Sequence, residues 1–305
     1  MNSWPGATAC RFAAGAVFAL AGAIAPCLAS AATDAGRELA VCADPGNLPY
    51  SNERLEGFEN RIAGLIASDL NATLRYTWNV QRRSFLRRTL HSGDCDLVVG
   101  LPAGLQGVAQ TRPYYASSYV FVTRRDRGLQ LSGFDDPLLR DLTIGLQAVG
   151  ADGANPPPAS ALARRGIVNR TVGFPMWGEE SEDSPQGRII DAVASGKIDI
   201  AIVWGPFAGY FARRYGDTLA VRQVVGDPQQ PALPFRYEMS LSVRRGDDAF
   251  LNELQQVLDR RQPEIRAILT DYGIPLAAMG APVAQLSVGG GPGGMSNTVV
   301  DTVGD

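Results

Sequence analysis

The stretch PQGRIIDAVASGKIDIAIVWGPFAGYFA, from Pro185 to Ala212, decides the fold. Its first part spaces apolar residues as an amphipathic helix does, and Gly196 then supplies a turn. The apolar run IAIVW, within KIDIAIVWG, is typical of a strand buried on both faces. A helix, a glycine turn and a buried strand in succession predict an α/β fold. The strand ends in a Trp204-Gly205-Pro206 corner.

The same alternation of helices and strands occurs twice along the chain. Residues 39–102 contain LAVCA, GFENRIAGLIASDLNA, LRYTWNV, QRRSFLRRTLHSG and DLVVGLP, which predict strand, helix, strand, helix and strand. Residues 142–205 repeat the pattern through LTIGLQ, ASALARRG, VNRTVGF and the stretch quoted above. YEMSLSVRRGD then returns as a strand, and residues 248–273 supply closing helices. Each run predicts a parallel sheet covered by helices, so we expect two α/β lobes.

The two lobes and the two chain ends have the following predicted bounds. The first lobe takes residues 36–123 and 241–280, and the second takes residues 124–240. The chain therefore crosses between the lobes twice. Residues 281–305 are rich in glycine and lack periodicity, which predicts a disordered tail.

Residues 1–31 have the pattern of a signal peptide. Arg11 is their single charge, an apolar run follows it, and Ala29-Ser30-Ala31 has the form that signal peptidase accepts. Cleavage after Ala31 would export the protein to the periplasm. Lipidation at Cys27 is a second possibility, although Pro26 fits it poorly.

Composition and motifs argue against several functions. The formal net charge is −3, which does not favour binding to nucleic acid. No segment after the first 31 residues is apolar enough to suggest a membrane span. His91 is the only histidine, and no nucleophile elbow, phosphate loop or dinucleotide motif occurs. We therefore expect neither an enzyme nor a zinc protein, and no cofactor; the acidic residues 179–183 suggest a solvated loop rather than a cation site.

Two cysteines follow the signal peptide, and their state stays open. Cys42 and Cys95 would form a disulfide in many exported proteins. However, Cys42 lies late in a predicted strand and Cys95 lies just before a neighbouring one. A parallel register would hold them too far apart, so two buried thiols are the alternative.

Aromatic residues follow the predicted strands, where ligands of α/β proteins bind. The predicted cleft residues are Tyr50, Trp177, Trp204 and Phe207, with Arg82 and Arg112 as candidate partners for an anion. Arg112 has a structural alternative, which is to tie its own turn to the first lobe.

The first-lobe motifs ADPGNLPYS, GFENRIAGLIASDL, CDLVVGLPAG and TRPYYASSYVFVT resemble bacterial type II periplasmic solute-binding proteins. That resemblance implies a bilobal α/β fold with two hinge crossings. Amino-acid receptors of this kind clamp their ligand with an arginine after the third strand and an aspartate in the second lobe. This chain has PAGLQ at residues 102–106 and Trp204 instead, so both charges are missing.

A closer resemblance is to the MxaJ/XoxJ family. It is carried by CADPGNLPYSN, QRRSFLRRTL, the Asn155-Pro156-Pro157 segment and IDIAIVWGPFAGYFA, together with the CDLVVGLPAG and TRPYYASSYVFVTR segments. The resemblance implies a non-enzymatic periplasmic accessory protein of a PQQ-dependent methanol dehydrogenase, which is lanthanide-dependent in the XoxJ branch. The implied partners are a dehydrogenase subunit and its cytochrome c. The motifs do not separate the two branches.

Two functions therefore remain open. The leading hypothesis is an accessory protein that holds a client segment or cofactor in the cleft between the lobes. The alternative is an ABC-importer receptor for a small apolar or aromatic solute.

Overall fold

The computed structural model describes residues 36–82, 84–148, 156–176 and 184–280. The predicted signal peptide and the predicted tail lie outside these ranges. No helix within them combines the length and the apolar character that crossing a bilayer requires.

Strands and helices alternate through most of the described chain. The strands are β1 (Glu38–Ala43), β2 (Gly46–Asn47), β3 (Ser51–Asn52), β4 (Thr73–Trp78), β5 (Leu97–Pro102), β6 (Ala109–Gln110), β7 (Tyr115–Arg124), β8 (Ile144–Ala148), β9 (Thr171–Pro175), β10 (Ile200–Trp204), β11 (Leu219–Gln223) and β12 (Arg236–Val243). The helices are α1 (Phe58–Asp69), α2 (Phe85–Arg88), α3 (Pro157–Arg164), α4 (Arg188–Ala194), α5 (Gly205–Ala212) and α6 (Asp248–Asp271). Short 3-10 turns lie at 125–127, 137–140, 185–187 and 213–218.

The first half-sheet has the strand order β4-β1-β5-β12. Strand β1 pairs in parallel with both β4 and β5, as the sequence predicts. Its side chains alternate between two cores: Leu39 and Val41 enter the main core, whereas Ala40 and Cys42 enter a smaller one on the other face. Helix α1 covers the main-core face with its buried stripe of Phe58, Ile62, Ala63 and Ile66.

The second half-sheet has the order β10-β8-β9, again parallel. All five residues of β10 are buried, in agreement with the apolar run in the sequence. Gly145 of β8 has no room for a side chain, because a Cβ would lie 2.5 Å from Ile198 Cδ1. This close approach lets the segment between α4 and β10 pack directly on the sheet.

Two antiparallel strands join the half-sheets. Residues Tyr115 to Ser118 of β7 pair with β12, whereas Tyr119 to Thr123 pair with β10. Strand β12 pairs with β7 over Arg236 to Met239 and with β5 from Met239 onward. The change of partner in β7 thus comes earlier in the chain than residue 123, and the lobe bounds given above stay a prediction.

The helix predicted over residues 81–93 is much shorter than expected. Among the described residues of this range, only Phe85–Arg88 is helical, and Ser84 before it has a left-handed backbone with φ of 74°. Thr89 after it also leaves the helical region, and its Oγ1 donates to the carbonyl oxygen of Phe85. Phe85, Leu86 and Leu90 are buried in the smaller core, so tertiary packing decides the backbone here. In contrast, the segment that begins at residue 248 forms one long helix, α6, where several helices were predicted.

Cys42 and Cys95 form a disulfide, with their Cα atoms 5.5 Å apart. The prediction that a parallel register would hold the two cysteines too far apart was wrong. The ladder between β1 and β5 begins at Val41 and Leu97, so it does not fix Cys95, which lies in the turn before β5, relative to Cys42. Both residues are buried in the smaller core.

We expect replacement of both cysteines by serine to lower the free energy of unfolding by about 3–4 kcal/mol, because the bond closes a loop of 53 residues in the unfolded chain. Urea denaturation with and without dithiothreitol measures this. The reductant should destabilise the wild type and leave Cys42→Ser/Cys95→Ser unchanged. An equal effect on both proteins would contradict a structural role of the bond.

Candidate functional site

The Trp204 corner is buried between the two half-sheets. The indole of Trp204 is 1% exposed, and its Nε1 donates a hydrogen bond of 2.5 Å to Tyr50 Oη. Tyr50 follows β1 on the other half-sheet and is 2% exposed. The backbone N–H of Trp204 donates to Gln147 Oε1 at 2.9 Å. A side chain from each half-sheet and the end of β8 are therefore joined at this corner.

The local sequence explains why the chain turns here. Pro206 lies in the first turn of α5, where a missing N–H costs nothing and the fixed φ suits a helix. Gly205 approaches β7 so closely that a Cβ would lie 2.6 Å from the carbonyl oxygen of Ser118. The Gly-Pro pair thus ends β10 and starts α5. Because Gly205 has no side chain, the corner packs directly against β7.

Aromatic rings surround the Trp204–Tyr50 hydrogen bond. The Trp204 ring meets Tyr119 and Tyr237 edge to face, at centroid distances of 5.5 and 5.4 Å. Tyr50 meets Phe207 in the same way at 5.4 Å and packs against Phe58 in a tilted arrangement at 5.0 Å. We call this set the aromatic junction; its members are Tyr50, Phe58, Tyr119, Trp204, Phe207 and Tyr237. Edge-to-face pairs of this kind add to the stability that burial itself supplies.

Two carboxyl groups lie beside the junction in the first half-sheet. Glu59 is in the first turn of α1, and its Oε1 occupies the space where a side chain on Gly100 would lie. Burial first, and then the charge of Asp44, raise the pKa of Glu59 from 4.5 to about 8. Burial also raises the pKa of Asp44, although N–H groups of Gln81 and Gly46 bind its oxygens and oppose the shift. Burial, and then the charge of Glu59, raise the pKa of Tyr50 well above 10.

The structure brings three of the six predicted cleft residues together. Tyr50, Trp204 and Phe207 contact one another in the junction. Arg82 is exposed after β4, and its charge lowers the pKa of Asp44. Trp177 lies outside the described residues.

Arg112 belongs to the surface of the first half-sheet. Its guanidinium donates to both carboxylate oxygens of Asp259 on α6 at 2.9 and 2.8 Å, and its backbone N–H donates to Gln255 Oε1. The side chain is 71% exposed. This is the structural alternative considered from the sequence, in which Arg112 ties its turn to the lobe.

Sequence reasoning missed Gln147, Glu59 and Tyr237. Gln147 is a buried polar residue at the end of an apolar strand, which was a usable signal. Glu59 stands at a helix start, where an acidic residue is ordinary, so nothing in the sequence distinguished it. Within the described ranges, no three His, Cys, Asp or Glu side chains form a group that could hold a metal ion.

The raised pKa of Glu59 predicts a falling stability with rising pH. The folded state keeps this carboxyl protonated between pH 4.5 and about 8, while the unfolded state releases the proton. Stability should therefore fall across that window, and Glu59→Gln should remove this part of the slope, leaving the variant more stable than the wild type at pH 8.5 by a few kcal/mol.

Urea denaturation between pH 5 and 9 tests this prediction. Glu53→Gln, which alters an exposed carboxylate on the preceding loop, is the matched control and should follow the wild type. Parallel stability profiles for Glu59→Gln and the wild type would show that Glu59 is ionised in the folded protein.

Comparison with known proteins identifies the family. The family of bacterial extracellular solute-binding proteins, family 3, matches residues 39–273. Protein MoxJ of Paracoccus denitrificans is 31% identical over 271 residues, which cover 84% of this chain and 95% of the relative.

Two solved structures are similar over their whole length. The periplasmic binding protein XoxJ from Methylobacterium extorquens AM1 is 34% identical, with a TM-score of 0.64, and the match covers 79% of this chain and 99% of that one. MxaJ from Methlophaga aminisulfidivorans MPT is 28% identical, with a TM-score of 0.67, covering 78% and 100%. These matches confirm the predicted bilobal α/β class. The chain belongs to family 3 of the bacterial extracellular solute-binding proteins and, among proteins of that fold, to the MxaJ/XoxJ family.

Proposed function

We propose that this protein is a non-enzymatic periplasmic accessory protein of a PQQ-dependent methanol or alcohol dehydrogenase system. Membership of the MxaJ/XoxJ family supports this assignment, because the proteins of that family are associated with such systems. We further propose that it assists the maturation or activation of the dehydrogenase. Its partners are then the dehydrogenase subunit and its cytochrome c.

The main observation that supports the proposal is that the aromatic junction contains no charged side chain. An amino-acid receptor needs charged groups that face its ligand across the cleft. Here the corner of the second half-sheet presents Trp204, whose N–H is already bonded to Tyr50 at 2.5 Å. The turn after β5, residues 102–106, contributes no arginine. The charges that would hold a free amino acid are replaced by an uncharged aromatic contact.

A polypeptide segment is the occupant that suits the polar groups around this corner. Gln147 and Gln186 are buried, and each has one amide atom, Nε2 and Oε1 respectively, without a partner among the described residues. Amide side chains can donate to and accept from a peptide backbone, as solvent does. Such groups, next to aromatic rings, favour an extended chain over a small charged metabolite.

We propose Tyr50, Trp204 and Phe207 as the centre of the client contact. Arg82 and Arg112 are further proposed contacts, and Trp177, which lies outside the described residues, completes the proposed set. Arg112 contributes least, because Asp259 already neutralises its guanidinium.

The experiment compares Trp204→Phe with Trp78→Phe. Trp204→Phe removes the N–H that Tyr50 accepts, whereas Trp78 stacks on Tyr76 at 4.6 Å in the outermost strand of the first half-sheet, β4. We expect Trp204→Phe to lower the free energy of unfolding by about 1–2 kcal/mol and to recover less dehydrogenase subunit from methylotroph periplasm. Trp78→Phe should recover as much as the wild type.

Thermal-shift measurements with small solutes and PQQ accompany the capture experiment. Recovery of the dehydrogenase subunit without a saturable shift supports an accessory protein. A large saturable shift with one metabolite, and no dehydrogenase recovered, would instead support an importer receptor and refute the proposal.

A further inference from the structure

The segment after α6, Gly273–Gly280, crosses the point where the two half-sheets meet. We call it the strap. It forms an antiparallel bridge between Leu276 and Ser117 of β7. Ala277 N donates to the carbonyl oxygen of Ala116 at 2.9 Å, and Ser117 Oγ donates to that of Pro275 at 2.7 Å. These contacts lie next to Ser118, where β7 changes its pairing partner.

The strap is also bonded to the second crossing strand, β12, and to β11, which pairs with the part of β7 that joins the second half-sheet. Gly280 N donates to Glu238 Oε1 of β12 at 2.6 Å, and the guanidinium of Arg236 donates to the carbonyl oxygen of Ala278. On the other side, Gln223 Nε2 of β11 donates to the carbonyl oxygen of Leu276 at 2.9 Å. One short segment is thus bonded to both crossing strands and to a strand beyond them.

Helix α5 packs so closely against the start of the strap that Gly209 has no room for a side chain. A Cβ on Gly209 would lie 1.9 Å from the carbonyl oxygen of Gly273 and 2.9 Å from Pro275 Cδ. The ring of the next residue, Tyr210, stacks on Tyr272 at a centroid distance of 5.9 Å. Arg213 donates to the carbonyl oxygen of Asp271. The helix that begins at the Trp204 corner is therefore fixed to the end of α6 along its length.

Opening of a two-lobed protein requires backbone rotations in a few residues of the crossing strands. In this protein the residues beside the change of partner in β7, Ala116 and Ser117, are bonded to the strap. Rotation there would break the bonds to Pro275 and Ala277 and separate Gly209 from Gly273. The Trp204–Tyr50 hydrogen bond would have to break as well.

We propose that the strap is a third connection between the lobes, and that it holds them closed when no ligand is bound. A binding protein that closes on its ligand has two connections and an open resting state. With the strap, the closed arrangement is the resting state, and a client that contacts the aromatic junction must first open the lobes. This inference does not depend on which client the protein serves.

Distance measurement by pulsed electron paramagnetic resonance tests the inference. Spin labels on Ser68→Cys of α1 and Ala163→Cys of α3 report the separation of the half-sheets, because both positions are exposed. Cys10 and Cys27 are replaced by serine, and the Cys42–Cys95 disulfide is kept. We expect one narrow distance distribution for the ligand-free protein.

Gly209→Ala and Gly64→Ala form a matched pair for this measurement. Both place a methyl group in an α-helix, but a Cβ on Gly64 has nothing within 4 Å, whereas one on Gly209 meets the strap. Gly209→Ala should broaden the distribution towards longer distances, and Gly64→Ala should match the wild type. Broad or two-peaked distances in the ligand-free wild type would overturn the proposal, as would identical distributions for the two variants.

A second variant covers the case in which Gly209→Ala does not fold. Ser117→Ala/Gln223→Ala removes two side-chain bonds to strap carbonyl oxygens and leaves the packing intact. It should lengthen the mean distance while the circular dichroism spectrum stays that of the wild type. An unchanged distance in this variant would refute the strap as a connection.

Discussion

The hydrogen bond from Trp204 Nε1 to Tyr50 Oη is the interaction on which this structure depends. Both groups are buried, so each would be costly without its partner. The bond joins residues 154 positions apart, Trp204 at the end of β10 and Tyr50 in the turn before β3. Around it, Tyr119 and Tyr237 pack against Trp204, and Phe207 packs against Tyr50. The half-sheets are held to each other by side chains of the protein itself.

Close backbone approaches make this arrangement possible. Gly205 brings the corner onto β7, Gly209 brings α5 onto the strap, and Gly100 leaves room for the Glu59 carboxyl. The first two approaches bring strands and helices of the two half-sheets together. The approach at Gly100 lowers the free energy of unfolding at neutral and higher pH, because burial raises the pKa of Glu59 to about 8. This half-buried carboxyl, which has no ionic partner among the described residues, is retained beside the junction despite that cost.

The function proposed for the protein follows from how a familiar scaffold has been altered. The family 3 fold supplies two half-sheets and two crossing strands. Charged groups that would recognise a small solute are replaced by aromatic rings, and the hinge carries a further hydrogen-bonded segment. Both changes reduce the need for a ligand to close the lobes. The client proposed above would therefore have to open the lobes, whereas a solute closes them.

The order of helices and strands was determined by the sequence alone, because a 3.6-residue period and short apolar runs are local properties. The same pattern indicated that Tyr50, Trp204 and Phe207 follow strands, and so lie near one another. Tertiary structure decided the rest. Only the packing of the smaller core shortened α2 and brought Cys95 to Cys42, since neither depends on local period. The roles of Gln147, Glu59 and the strap likewise arise from contacts between residues far apart in the chain, which no spacing in the sequence records.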